Sequence, residues 1–120
     1  MKIQEAIAAA NARKPNQVSV EMKIRWLSVL DGRVEREILS PSALSDFRGY
    51  ASDTAQSTEL KIPYPYDEIY PLWLEAHIAQ IGCETEKYNN ALTMCEDLMR
   101  EFRAFCLRTR QREPVRMKFF

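Results

Sequence analysis

The residue types able to do chemistry in this chain are one histidine, three cysteines and a few neighbouring carboxylates, and their spacing does not let them act together. His77 is the single histidine. A general base needs a positioned acidic partner, yet the residues three and four away along a helix are Trp73, Leu74, Gln80 and Ile81. As a metal ligand it would have Cys83 six residues on, at the wrong spacing for one helical face. Cys95 and Cys106 are eleven apart and could share a face, but no histidine joins them, so they read as small apolar packing residues. Glu84 with Glu86, and Glu96 with Asp97, diverge around a helix instead of converging on a proton. Three glycines are too few for a P-loop or dinucleotide fingerprint, and no Gly-x-Ser-x-Gly elbow occurs. The expectation is a non-enzyme with no catalytic, cofactor-binding or metal-binding residues.

Charge narrows the classes further. Seventeen basic groups balance seventeen acidic ones, which argues against general coating of nucleic acid. The balance is uneven, with seven acids and one lysine over residues 67–97, then six arginines and one lysine against two glutamates over 98–120. Such an acidic belt and basic tail could steer neighbouring copies together. Three cysteines, an odd number within presumed helices, point to reduced thiols and an intracellular setting. The opening MKIQEAIAAANARK is too polar for a signal peptide, and no stretch approaches the ~20 apolar residues of a membrane span.

The elements that must carry these residues are helices. Ile3, Ala6, Ile7 and Ala10 predict a first helix over 2–14, ended by Pro15-Asn16. Ser19 caps a second over 20–39, whose stripe is Met22, Leu27, Leu30, Val34 and Ile38 with Trp26 alongside; Gly32 inside it suggests a close helix crossing. Residues 40–59 are polar and aperiodic, and a loop of that length usually signals functional contact or disorder. Leu60, Lys61 and Ile62 alternate and read as a short strand or extended arm. A third helix is expected over 65–88, opened by Pro65, Asp67 and Glu68 and kinked near Pro71. Asn89-Asn90 should break it before a fourth helix over 91–109, with Pro114 beyond its end. The prediction is an all-α, four-helix bundle-like domain over 1–113, a long loop over about 40–64 and a C-terminal arm over 114–120.

Binding is then the remaining source of function. Phe119 and Phe120 are costly to leave in water, at ~1.5–3 kcal/mol each. With Arg112, Arg116 and Met117 they predict a tail that docks on a partner, while Leu60, Lys61 and Ile62 predict strand-like pairing with a neighbour. Arg103, Arg108, Arg110, Arg112 and Arg116 could contact phosphates, giving the alternative of a helical DNA-binding protein of a phage packaging or regulatory system. A helix-turn-helix over 2–39 is disfavoured because its second helix would open SVEMKIRW, with an acid early and its tryptophan beside the buried stripe.

Four segments together, KIRWLSVLDGRVEREI at 23–38, ELKIPYPYDEIYPLWLEAHI at 59–78, EKYNNALTMCEDLMREFRAF at 86–105 and the closing MKFF, resemble head–tail connector (adaptor, or head-completion) proteins. That family comprises short proteins encoded in the structural gene blocks of phages and prophages of Gram-positive bacteria. The resemblance covers about two-thirds of the chain; residues 40–58 have no counterpart, and Pro71 departs from the pattern. It implies a helical virion subunit that closes into a homo-oligomeric ring between the portal protein and a tail-side completion protein. Duplex DNA would pass through that ring without sequence-specific contact. It also implies assembly in the bacterial cytoplasm, a final place in the virion, and no membrane partner.

Overall fold

The fold is all-α, as the apolar periodicity predicts. A computed structural model describes the backbone of residues 1–39 and 46–117, with side chains up to Thr109. Four α-helices follow in order: α1 (Ile3–Arg13), α2 (Val20–Val34), α3 (Ile69–Ile81) and α4 (Thr85–Met117). A π-helical turn, Glu35–Leu39, continues α2, and a 3-10 turn, Tyr66–Glu68, leads into α3.

Local chemistry sets these boundaries. Glu5 accepts a hydrogen bond from the Lys2 backbone N–H at 2.8 Å, closing the start of α1. Ser19 Oγ accepts from the Met22 N–H at 3.2 Å and caps α2 as expected. Asn16 fastens the turn between them, donating to Asn11 Oδ1 and the Lys14 carbonyl and accepting from the Val18 N–H.

The second half departs from the sequence reading. The break falls at Gly82–Glu84 and not at Asn89-Asn90, which lie inside α4. There the Glu84 N–H reaches back to the Ala79 carbonyl at 2.9 Å, and Cys83 takes a left-handed φ of 58° to turn the chain. Pro71 is the third residue of α3, in the turn whose N–H groups lack helical acceptors anyway, so it demands no kink. Helix α4 is one element of 33 residues that runs through Pro114, so its backbone has no boundary at 113.

The core collects Ile3, Ile7, Ile24, Leu27, Val34, Ile69, Leu74 and Phe102 from all four helices. Leu60 and Ile62 join it, which corrects the arm reading: both side chains are buried within their own chain. Among the described residues the only β-type pairing is a single antiparallel bridge between Lys2 and Glu59. It is reinforced by Ile3 N–H to the Thr58 carbonyl and Leu60 N–H to the Met1 carbonyl. Residues 46–64 are therefore a strap laid on the bundle.

Two glycines make opposite predictions for the same substitution. Gly32 lies inside α2, and a Cβ built there meets nothing within 4 Å, so the close crossing expected from sequence is absent. Gly32→Ala should raise stability by about 0.5–1 kcal/mol, seen as a higher urea midpoint at unchanged slope. Gly49 has φ +94°, and a Cβ there would overlap the Ser28 Oγ. That oxygen accepts the Tyr50 N–H at 2.9 Å. Gly49→Ala should therefore lower the melting temperature, at a cost of about 1–3 kcal/mol.

Candidate functional site

Among the described residues a polar hub forms on Asp31. Its carboxylate is fully buried, at 0% exposure. Oδ1 accepts from the Tyr70 hydroxyl at 2.6 Å, while Oδ2 accepts from the Tyr50 hydroxyl at 2.5 Å and the Lys61 N–H at 3.1 Å. Tyr70 in turn accepts the Ile62 N–H at 2.6 Å. Burial pushes the Asp31 carboxyl above its ordinary range, and the hydrogen bonds from Tyr50, Tyr70 and Lys61 oppose that rise. Both tyrosine hydroxyls are pushed up, first by burial and then by the adjacent carboxylate. With Asp31 and Tyr70 sealed from solvent and each of these donors engaged, the hub joins strap to helices.

His77 is equally structural. Its Nδ1 lies 2.9 Å from the Trp73 carbonyl, and its ring packs against Trp73 and Trp26 with centroids 4.4 and 5.1 Å away. Trp73 Nε1–H donates to the Trp26 carbonyl at 2.9 Å, tying α3 to α2. Cys95 is buried against the Ile69 carbonyl, and burial pushes its thiol up to about 12, which removes thiolate reactivity. Among the described residues no cluster of His, Cys, Asp or Glu could hold a metal ion. No helix among them is long and apolar enough to cross a membrane.

The acidic belt is largely neutralised at home. Arg13 pairs with Glu68 and approaches Glu75 at 3.8 Å, Lys14 and Lys87 both hold Glu84, and Arg100 pairs with Asp97. The end of α1 thus consumes much of the charge that was expected to meet a neighbour's basic tail. Glu37 and Glu96 remain exposed on the opposite side, where a groove separates α4 from α2 and its π-helical extension. Leu30, Val34 and Ile38 form the floor, with Trp73, Leu92 and Met99 as walls, around a cavity of about 200 Å³.

Helix α4 carries the remaining candidates. Among the described residues Phe102 is its last fully buried side chain, and its ring packs on Tyr66, which also meets Phe105. Beyond it, Phe105 is 40% and Leu107 48% exposed. The helix continues to Met117, which at ~1.5 Å per residue is about 22 Å past Phe102. Arg112, Arg116 and Met117 thus lie on a helical backbone, where the fourth helix was expected to end by 109 and an arm to begin at 114, while Phe119 and Phe120 lie outside the described residues. Of the other predicted partner residues, Leu60 and Ile62 are internal, and Lys61 gives its N–H to Asp31 and its ammonium to Glu35 at 3.8 Å. Sequence reasoning missed Asp31 altogether. The available signal was an acid occupying the apolar stripe Ile24, Leu27, Val34, Ile38 at helical spacing. No protein-family model, curated protein or solved structure matches the chain.

Proposed function

We propose that this chain is a non-catalytic structural subunit of a phage virion, one of the copies of a connector ring joining portal to tail. The observation that carries the reading is the overrun of α4. A bundle that is satisfied internally continues one helix about 22 Å beyond Phe102, the last fully buried side chain among the described residues, with Phe105 and Leu107 left in water. A helix that continues this far past its last described core contact is long enough to dock on another molecule. The resemblance of residues 23–38, 59–78 and 86–105 to head–tail connector proteins supplies the class of partner. Repeated head-to-tail contacts close into a ring when the rotation permits, and many weak contacts around it lock only in the correct setting.

In this mechanism the strap contributes rigidity, since its docking residues are spent on Asp31, Tyr70 and α1. The end of α4 contributes the contact. Portal and tail-side proteins are the partners, and duplex DNA passes without sequence-specific contact. Subunits assemble in the bacterial cytoplasm and remain in the virion.

The direct test is co-sedimentation with a purified portal ring from the same genome. Saturation at a fixed ratio of subunit to portal supports the reading. Absence of portal binding, together with a duplex gel shift that depends on the arginines beyond 107 and fades with salt, would replace it with DNA binding.

A further inference from the structure

We propose that residues 50–61 are a flap that opens and closes over the start of α1 as one unit, with Asp31 as its clasp. The inference stands apart from the assembly reading, since it concerns contacts made within one chain. Closed, the flap is the rigid strap described above.

Both ends of the flap are fastened at one place. The Tyr50 O–H and the Lys61 N–H converge on the same oxygen, Asp31 Oδ2, at 2.5 and 3.1 Å. Around that neck the Tyr50 N–H is held by Ser28 Oγ at 2.9 Å and the Ile62 N–H by the Tyr70 hydroxyl at 2.6 Å. Between the ends, residues 51–53, 55–57 and 59 are exposed, and Leu60 is the one buried side chain. Turns of its own keep the flap in shape: the Thr54 N–H reaches the Ala51 carbonyl and the Thr58 N–H the Ala55 carbonyl, each at 3.0 Å. A contiguous piece with so few buried side chains, closed at its neck and bonded within itself, opens as a unit. Gly49, just outside the neck, has φ +94°, a conformation glycine takes without strain and one suited to a hinge.

What the flap covers is the first turn of α1. The N–H groups at a helix start have no acceptor within the helix, and the flap supplies two. The Thr58 carbonyl accepts from the Ile3 N–H and the Gln56 carbonyl from the Gln4 N–H, each at 3.0 Å. In return the Leu60 N–H donates to the Met1 carbonyl at 2.9 Å. Opening therefore uncaps α1 in the same event that unfastens the neck from α2 and α3.

The clasp responds to pH because opening hydrates Asp31. Burial holds its carboxyl above the ordinary range against the opposing pull of its hydrogen bonds. Ionisation is thus harder in the closed flap than in the open one, and the open form gains as pH rises. The groups that face the carboxylate are the Tyr50 hydroxyl and Lys61 from the strap and the Tyr70 hydroxyl from α3. Both hydroxyls are pushed up and stay uncharged. The Lys61 ammonium lies 3.8 Å from Glu35, which also acts on Tyr50 from the π-helical turn.

Native-state hydrogen exchange on the full chain tests this. In the wild type the amides of Ile3, Gln4, Tyr50, Leu60, Lys61 and Ile62 should share one protection factor and one shallow urea slope. The buried helix amides of Leu27 and Leu74 should be better protected and show the steep slope of global unfolding. The shared flap protection should fall as pH rises, and Asp31→Asn, whose side chain stays neutral, should flatten that dependence. Tyr50→Phe cuts a single bond at the half-buried end of the neck and serves if Asp31→Asn does not fold. It should lower the protection of all the flap amides together, on the order of tenfold. Flap amides that exchange with separate protection factors and slopes, or only together with Leu27 and Leu74, would overturn the flap. A wild-type profile that is flat in pH, or a dependence that survives in Asp31→Asn, would overturn Asp31 as its clasp.

Discussion

Asp31→Ala is expected to destabilise the fold by about 3–5 kcal/mol, a large part of the ~5–15 kcal/mol typical of a whole domain. Three donors would be stranded at once: the Tyr50 hydroxyl, the Tyr70 hydroxyl and the Lys61 N–H. Alanine can accept from none of them, and Tyr70 and Asp31 are fully buried, so water cannot substitute without opening the core. The strap would loosen along with Ile62, whose N–H depends on the Tyr70 oxygen. Urea denaturation reads the loss directly. A double-mutant cycle sharpens it: Tyr50→Phe should cost clearly less in the Asp31→Ala background than in the wild type, because its partner is already gone. Additive costs would show that the hub is not a coupled unit.

The same group predicts a pH dependence. Because burial raises the Asp31 carboxyl above its unfolded value, the folded state holds this proton more readily than the unfolded state. Its contribution to stability is therefore greatest at acid pH and declines as pH rises through the elevated value. Asp31→Ala should remove that declining component from the stability profile while lowering the whole curve.

The second large effect is functional. Deleting residues 117–120 should leave helix content and melting temperature close to wild type, because among the described residues the last fully buried side chain is Phe102 and no core contact lies beyond Cys106. Particle production from the encoding genome should nevertheless collapse, with filled heads that fail to acquire tails. The physical ground is the separation along α4 between the part that folds the domain and the part that projects from it. A marked loss of helix in the deletion would place the tail in the subunit's own core. Normal particle yield with an intact fold would remove the tail from assembly.

Much of the first half of the fold was legible because α1 buries one clean stripe and α2 begins at the Ser19 cap after the Pro15-Asn16 stop. The buried face of α2 nevertheless takes in Lys23, Ile24 and Asp31 and leaves Met22, expected inside, exposed. The third and fourth helices were misdivided for a specific reason. Asn89-Asn90 reads as a break by composition, but a helix also ends where a residue can turn left-handed, and Gly82-Cys83 does so. The strap was read as a free excursion because most of its residues are polar. Its docking rests on a few positions, Tyr50, Leu60 and Ile62, and on a partner, Asp31, that is distant in sequence. Long-range pairing of that kind leaves no periodic trace. The overrun of α4 was hidden by Pro114, which was expected to follow a finished helix; one proline near the end costs that turn a single backbone bond without stopping it.

The claim that this is a part built to sit among other copies is tested most directly by quantitative mass spectrometry of purified mature particles. The account predicts the chain in those particles at a constant stoichiometry to the portal protein, and its loss from them when residues 117–120 are removed. Mature, tailed particles that contain none of it would contradict the account.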